Sequence, residues 1–165
     1  MTCYFRSDWD NFPLMELDRI DRHILALLQG DATRSIQHVG DQVGLSHNAC
    51  WRRIKRLEEA GIIRKRVALV DPKELGYGVT VFVTVRTSHH TEQWLQKFAR
   101  GVAALPEVME FYRISGDVDY LLKVLVADIA EYDRFYKKLI AIAPLYDVSS
   151  NFAMEQVKYT TEIPV

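Results

Sequence analysis

The sequence predicts an α+β chain with two unlike halves: three short amphipathic helices, then a βαββαβ run. Three features carry this prediction. Between residues 17 and 60 the apolar positions recur at helical spacing in three separate stripes. Val79, Val81, Val83 and Val85 alternate with Thr80, Phe82, Thr84 and Arg86, the period of a strand with two different faces. Beyond Arg86, helix-period and strand-period segments take turns, separated by Pro, Gly and Asp.

Residues 1–15 (MTCYFRSDWDNFPLM) show neither period and are expected to be a flexible extension, or the product of an upstream start. A basic arm along DNA is disfavoured there, because Arg6 is set against Asp8 and Asp10. Leu17, Ile20, Ile24, Leu27 and Leu28 then share one face of a first helix, with Asp18 able to cap its start and Gly30 to stop it. Ile36, Val39 and Val43 form a shorter second stripe that Gly44 ends. Ser46 is a good N-cap for a third helix, in which Cys50, Ile54 and Leu57 share the apolar face. Only Val-Gly-Leu-Ser separates the last two stripes, which suits a helix-turn-helix. Ile62–Val70 is rich in β-branched residues and basic at its middle, so a strand beside DNA is expected, and Asp71-Pro72 and Gly76-Tyr77-Gly78 break the chain after it.

In the second half, Val79–Arg86 is the first strand. Leu95, Phe98, Val102 and Leu105 form a helix stripe ended by Pro106. Val108–Ile114 and Tyr120–Val126 read as a hairpin across Ser-Gly-Asp-Val-Asp. Ile129, Tyr132, Tyr136, Leu139 and Ile140 give another helix, and Val148–Tyr159 a closing strand. The βαββαβ order is that of a ferredoxin-like sheet with both helices on one face. The other face is then open, and covering it with a second copy predicts a homodimer.

Composition excludes several classes. The chain is 48% hydrophobic and 26% charged, as in folded globular proteins. It has no apolar run near the ~20 residues a membrane span needs, and no secretory leader pattern. Cys3 and Cys50 are too few and too far apart for a disulfide framework or zinc site, so a reducing cytoplasm is expected. Adjacent His89 and His90 point apart on an extended chain and lack further ligands, so no metal site is expected. No phosphate loop, nucleophile motif or convergent acid/base group points to a cofactor or an enzyme.

Charge points instead to nucleic acid. The whole chain has net charge −1, yet residues 52–66 hold seven Lys/Arg against Glu58 and Glu59, a local excess of +5. Residues 67–165 hold ten Lys/Arg and thirteen Asp/Glu, a net −3. On the third helix Asn48, Arg52, Lys55 and Arg56 cluster opposite the apolar face, with Trp51 and Arg53 on the flanks; Trp51 is expected to pack on the first or second helix. A basic face here could be merely solvated, but with the tri-helical pattern it predicts a helix for the major groove. Asn48 carries the amide that pairs with adenine, and Arg52 or Arg56 could read guanine. Arg53, Lys55, Arg64, Lys65 and Arg66 suit phosphate contacts.

The segments LDRIDRHILALLQGDATRS, VGLSHNACWRRIKRLEEAGII, SGDVDYLLKV and SSNFAMEQVKYTTEIP resemble the Lrp/AsnC (feast/famine) family of prokaryotic transcription regulators, over about residues 16–165. The last segment is similar to a subgroup tied to amino-acid catabolism. The resemblance implies a winged helix-turn-helix (16–63), a linker strand (64–77) and an amino-acid-sensing, oligomerising domain (78–165). It also implies dimers assembling into tetramers, octamers or larger discs, double-stranded operator DNA and a small amino acid as partners, and control of amino-acid metabolism or transport. By position, Ser46, His47, Asn48, Arg52, Arg53, Lys55 and Arg56 would face DNA. His47-Asn48-Ala49 departs from the family's Pro-Thr-Pro-like stretch, which alters the residues nearest the base edges.

Candidate effector contacts are Gly116, Asp117, Asp119 and Tyr120 in the Gly-Asp-x-Asp-Tyr turn. Gly116 lets the backbone come close to a ligand, and the two carboxylates could accept from an α-ammonium group while turn amides receive a carboxylate. The resemblance adds Ser149, Ser150 and Asn151 on the last strand. The same residues could instead serve turn chemistry alone. A different class of function, a DNA-free regulatory subunit of a metabolic enzyme, fits the βαββαβ half but leaves the basic helix without a use.

Overall fold

In a computed structural model of the chain, residues 15–165 are described, so the expectation for residues 1–15 falls almost wholly outside them. The described chain forms two compact units, residues 15–69 with Lys158–Val165, and Val70–Val157.

The first unit holds α1 (Arg19–Gly30), α2 (Ile36–Val43) and α3 (His47–Glu59). Each starts on a side-chain cap, which satisfies backbone N–H groups that have no partner within the helix. Asp18 caps α1 in a reciprocal box: its carboxylate accepts the Asp21 N–H at 2.8 Å, and the Asp21 carboxylate accepts the Asp18 N–H at 3.3 Å. Ser35 and Ser46 cap α2 and α3. Gly44 ends α2 at φ 71°, a left-handed conformation that favours glycine. Ile24, Leu25, Val39, Cys50, Ile54 and Leu57 close the core between the three helices. Burial pushes the Cys50 thiol above its usual range, so it behaves as a small apolar group.

Two expectations for this unit are corrected. Trp51 lies on the outer side of α3 and is 44% exposed, because it falls a turn-fraction away from the Cys50–Ile54–Leu57 face. Ile62–Val70 forms no strand, and no wing hairpin follows α3 among the described residues, since no neighbouring strand supplies the ladder's hydrogen-bond partners. Val67, Leu69 and Val70 stand exposed. At the other end, the extended tail is held to α1 by Gln29: its amide donates to the Ile163 carbonyl at 3.0 Å and accepts the Ile163 N–H at 2.7 Å.

The second unit holds β1 (Val79–Arg86), α4 (Glu92–Ala103), β2 (Val108–Arg113), β3 (Tyr120–Val126), α5 (Ile129–Ile142) and β4 (Asp147–Phe152). The sheet is antiparallel throughout, in the order β2-β3-β1-β4, with Val83 opposite both Leu122 and Ser150. The period-two pattern explains its two faces. Val81, Val83, Val85, Tyr120, Leu122, Val124 and Val126 turn inward onto Trp94, Phe98, Val102, Tyr132, Phe135 and Leu139 of the helices. Trp94 and Phe98 stack at 4.9 Å, and Phe111 meets Phe98 edge-on at 5.8 Å. Among the described residues nothing covers the opposite face: Phe82 and Tyr112 are exposed on it, beside a Lys123–Glu110 ion pair of 2.9 Å. The closing strand is shorter than expected, ending at Phe152, and residues 153–157 run exposed beyond it.

Candidate DNA-reading helix and effector cleft

The seven candidate residues on α3 divide into three groups. Ser46 is used by the fold, its hydroxyl accepting the Ala49 N–H at 3.4 Å. His47, Asn48 and Arg52 stand exposed along the first turn and the start of the second. Their contacts are local: His47 Nδ1 lies 3.4 Å from Asn48 Oδ1, and Arg52 Nε donates to the Asn48 carbonyl at 3.4 Å. These three side chains carry no ion pair among the described residues.

Arg53 and Arg56 are engaged from the other side. Arg53 Nη1 sits 2.7 Å from Asp18 Oδ2 and 2.9 Å from Asp21 Oδ1, while Arg56 Nη2 sits 2.6 Å from Asp21 Oδ2. The Asp21 N–H and then the Arg53 guanidinium hold the Asp18 carboxyl below the usual carboxylate range. The same bonds, Asp18's first and Asp21's next, raise Arg53 above its ordinary value. Lys55 pairs with Glu58 at 2.7 Å, and Arg66 reaches the same carboxylate at 3.2 Å. Asp18 and Asp21 therefore answer two charges of the +5 excess in residues 52–66, and Arg52, Arg64 and Lys65 keep no ion pair among the described residues. Asp21 and Glu58 were not singled out in the sequence. Asp21 could have been found as the third residue after the Asp18 cap, but only packing aims it at α3.

The second candidate site is an open cleft of about 340 Å³ at one end of the sheet, lined by Arg86, Thr87, Ser88, Gly116, Asp117, Asp119 and Tyr146. Gly116 adopts φ 136°, which the turn requires and L side chains avoid. Asp117 is exposed at the rim. Asp119 is partly committed to the fold, since its carboxylate accepts the Thr87 N–H at 2.8 Å. Arg86 lies 5.5 Å from the centre of the Tyr146 ring, a cation–π geometry. Arg86, Thr87, Ser88 and Tyr146 were not anticipated; they come from the end of β1, the two residues after it and the α5–β4 loop, which only the pairing of β1 with β3 and β4 brings to the turn.

Four expected effector residues lie elsewhere or face inward. Tyr120 is buried between Trp94, Phe98 and Phe111, because its place on β3 is an inward one. Ser150 also turns to the helix side, where its hydroxyl bonds the Tyr132 hydroxyl. Ser149 and Asn151 point to the open face, opposite Thr84 and Phe82, and do not line the cleft. A strand alternates its side chains, so three consecutive residues cannot share one site.

The arrangement is that of a DNA-binding helix-turn-helix joined to a small-molecule-binding α+β unit. Residues 17–58 match the AsnC-type helix-turn-helix domain, and residues 80–163 match the Lrp/AsnC ligand binding domain. The DNA-binding transcriptional activator DecR of Escherichia coli (strain K12) is 50% identical over 150 residues, covering 90% of this chain and 99% of that protein. The glutamate uptake regulatory protein of Zymomonas mobilis is 51% identical over 152 residues, covering 92% and 93%. An AsnC family transcriptional regulator from Agrobacterium tumefaciens superposes with a TM-score of 0.87 at 57% identity, covering 90% of this chain and 97% of that one. A Neisseria meningitidis transcriptional regulator solved with L-Met superposes at 0.86 with 31% identity, covering 90% and 97%. The chain belongs to the Lrp/AsnC family of transcription regulators.

Proposed function

We propose that this chain is a sequence-specific DNA-binding regulator whose hold on its operator changes with a small amino acid, and that it acts in the cytoplasm on genes of amino-acid metabolism or transport. The observation that carries this is the exposed His47–Asn48–Arg52 edge of a Ser46-capped helix in a helix-turn-helix. The Asn48 amide matches the donor and acceptor of an adenine edge, and the Arg52 fork matches guanine. Arg64 and Lys65, just beyond the helix, supply phosphate contacts that position without specifying. In the second unit, Arg86 would take an α-carboxylate and Asp117 an α-ammonium; both line the cleft with Gly116, which supports this reading. The L-Met complex of the Neisseria meningitidis regulator supports an amino-acid effector. The sheet face that the described residues leave open, carrying Phe82 and Tyr112, supports a dimer formed through a second copy, with larger assemblies built from dimers.

Fluorescence anisotropy tests this directly. A labelled fragment from upstream of the chain's own gene is titrated against scrambled competitor at fixed salt, and each of the twenty amino acids is then added. Tight binding that one or two amino acids alter is the expected result. Equal binding to both fragments, unmoved by any amino acid, would favour a DNA-free sensor subunit.

A further inference from the structure

Asp21 is fully buried, and both of its oxygens are held by guanidinium groups of α3. Two i, i+3 pairs face one another across the helices: Asp18 and Asp21 on α1, Arg53 and Arg56 on α3. A buried carboxylate must be paired or it destabilises the fold, so this contact is an obligatory one. Its effect on α3 is selective, because it reaches two of the helix's three arginines and leaves Arg52 alone.

We propose that Asp21 is a positioning residue for DNA reading, one that withholds Arg53 and Arg56 from indiscriminate phosphate binding and confines base reading to His47, Asn48 and Arg52. The inference rests on α3 being the DNA-reading helix. Affinity for any DNA grows with each cation that displaces counterions, whichever the sequence. A reading helix with three mobile arginines would hold random duplex more tightly. Tying two of them to α1 lowers the background and leaves the discriminating contacts in place. The clamp also sets the roll of α3 about its axis, and thereby which side chains meet the base edges.

The test compares the full-length chain with Asp21→Asn, Asp21→Glu and Arg56→Gln on the upstream fragment and on scrambled DNA, over a series of salt concentrations. Asp21→Asn frees Arg56 while Arg53 keeps its 2.7 Å bond to Asp18, so it should tighten scrambled binding severalfold and steepen its salt slope by roughly 0.9, the value of one phosphate contact. The ratio of operator to scrambled affinity should fall because α3 loses the roll that the clamp sets, and Asp21→Glu should restore part of it. Arg56→Gln keeps the Asp21–Arg53 pair and is the variant to rely on should Asp21→Asn not fold. It should leave the scrambled salt slope unchanged. A slope reduced by about one unit in Arg56→Gln would show that Arg56 already contacts phosphate, and would overturn the proposal. So would Asp21→Asn melting lower with an unchanged affinity ratio, the mark of a purely structural residue. A wild-type chain that does not prefer the upstream fragment fails the underlying DNA reading itself, a result visible before any variant is compared.

Discussion

The carboxylate of Asp119 accepts the backbone N–H of Thr87 at 2.8 Å, joining the turn before β3 to the end of β1 and fixing the floor of the cleft. Asp117, two residues earlier, stands exposed at the rim. The two aspartates of one turn therefore have different work.

Asp119→Ala should lower the stability of the second unit by about 1–3 kcal/mol, the cost of leaving a partly buried N–H without its partner. Asp117→Ala should leave the melting temperature near wild type and reduce the amino-acid response in the anisotropy assay. Thermal melts of both variants beside effector titrations separate the roles. An unchanged response in Asp117→Ala would remove it from the effector site.

Gly40 lies within α2, where intrinsic propensity favours alanine over glycine by about 1 kcal/mol. A Cβ at this position would stand 2.8 Å from the Leu45 carbonyl oxygen, which belongs to the backbone of the α2–α3 turn and cannot rotate away. Overpacking of this kind costs about 1–3 kcal/mol, so the steric effect wins. Gly40→Ala should shift the denaturant midpoint downward, and an upward shift would show that the turn yields.

Arg52→Ala should cost about 1–3 kcal/mol on the upstream fragment and much less on scrambled DNA, as removal of a base contact does. Equal losses on both would reduce Arg52 to a phosphate contact. The competition titration used for the wild-type chain reads the difference.

The acid limb of stability has a worked sign. Asp18 is held low by the Asp21 N–H and then by Arg53, and Glu58 by the hydrogen bond from Lys55. A carboxyl lowered on folding stabilises fully above its unfolded pKa, about 4, and loses that contribution as pH falls through the folded value. Melting temperature should be level from neutral pH down to about 5 and fall below about 4. Asp18→Asn, which keeps a capping oxygen but no titration, should show a shallower fall over the same range. An identical pH profile would show that Asp18 does not contribute.

Most of the elements, and the class, were legible in the sequence alone; that Ile62–Val70 forms no strand, and where the last strand ends, were not. Helical stripes, Ser and Asp caps, the Val79–Val85 alternation and the βαββαβ order all arise from local periodicity and backbone chemistry, which neighbouring residues settle among themselves. It also brought out the exposed N-terminal turn of α3, since His47 and Asn48 follow directly on a cap. Tertiary structure alone decided which of the candidate side chains on α3 were engaged by α1. Arg53 and Arg56 look like Arg52 in the sequence, and only the packing of α1 against α3 sets Asp18 and Asp21 before them. Tyr120 and Ser150 look polar and available, and strand parity turns both inward. Arg86 and Tyr146 lie 60 residues apart, and the β1–β4 ladder makes them walls of one cleft. The difference is physical: a helix or strand is written in contacts a few residues long, whereas an ion pair or a cleft wall depends on which distant surfaces are pressed together.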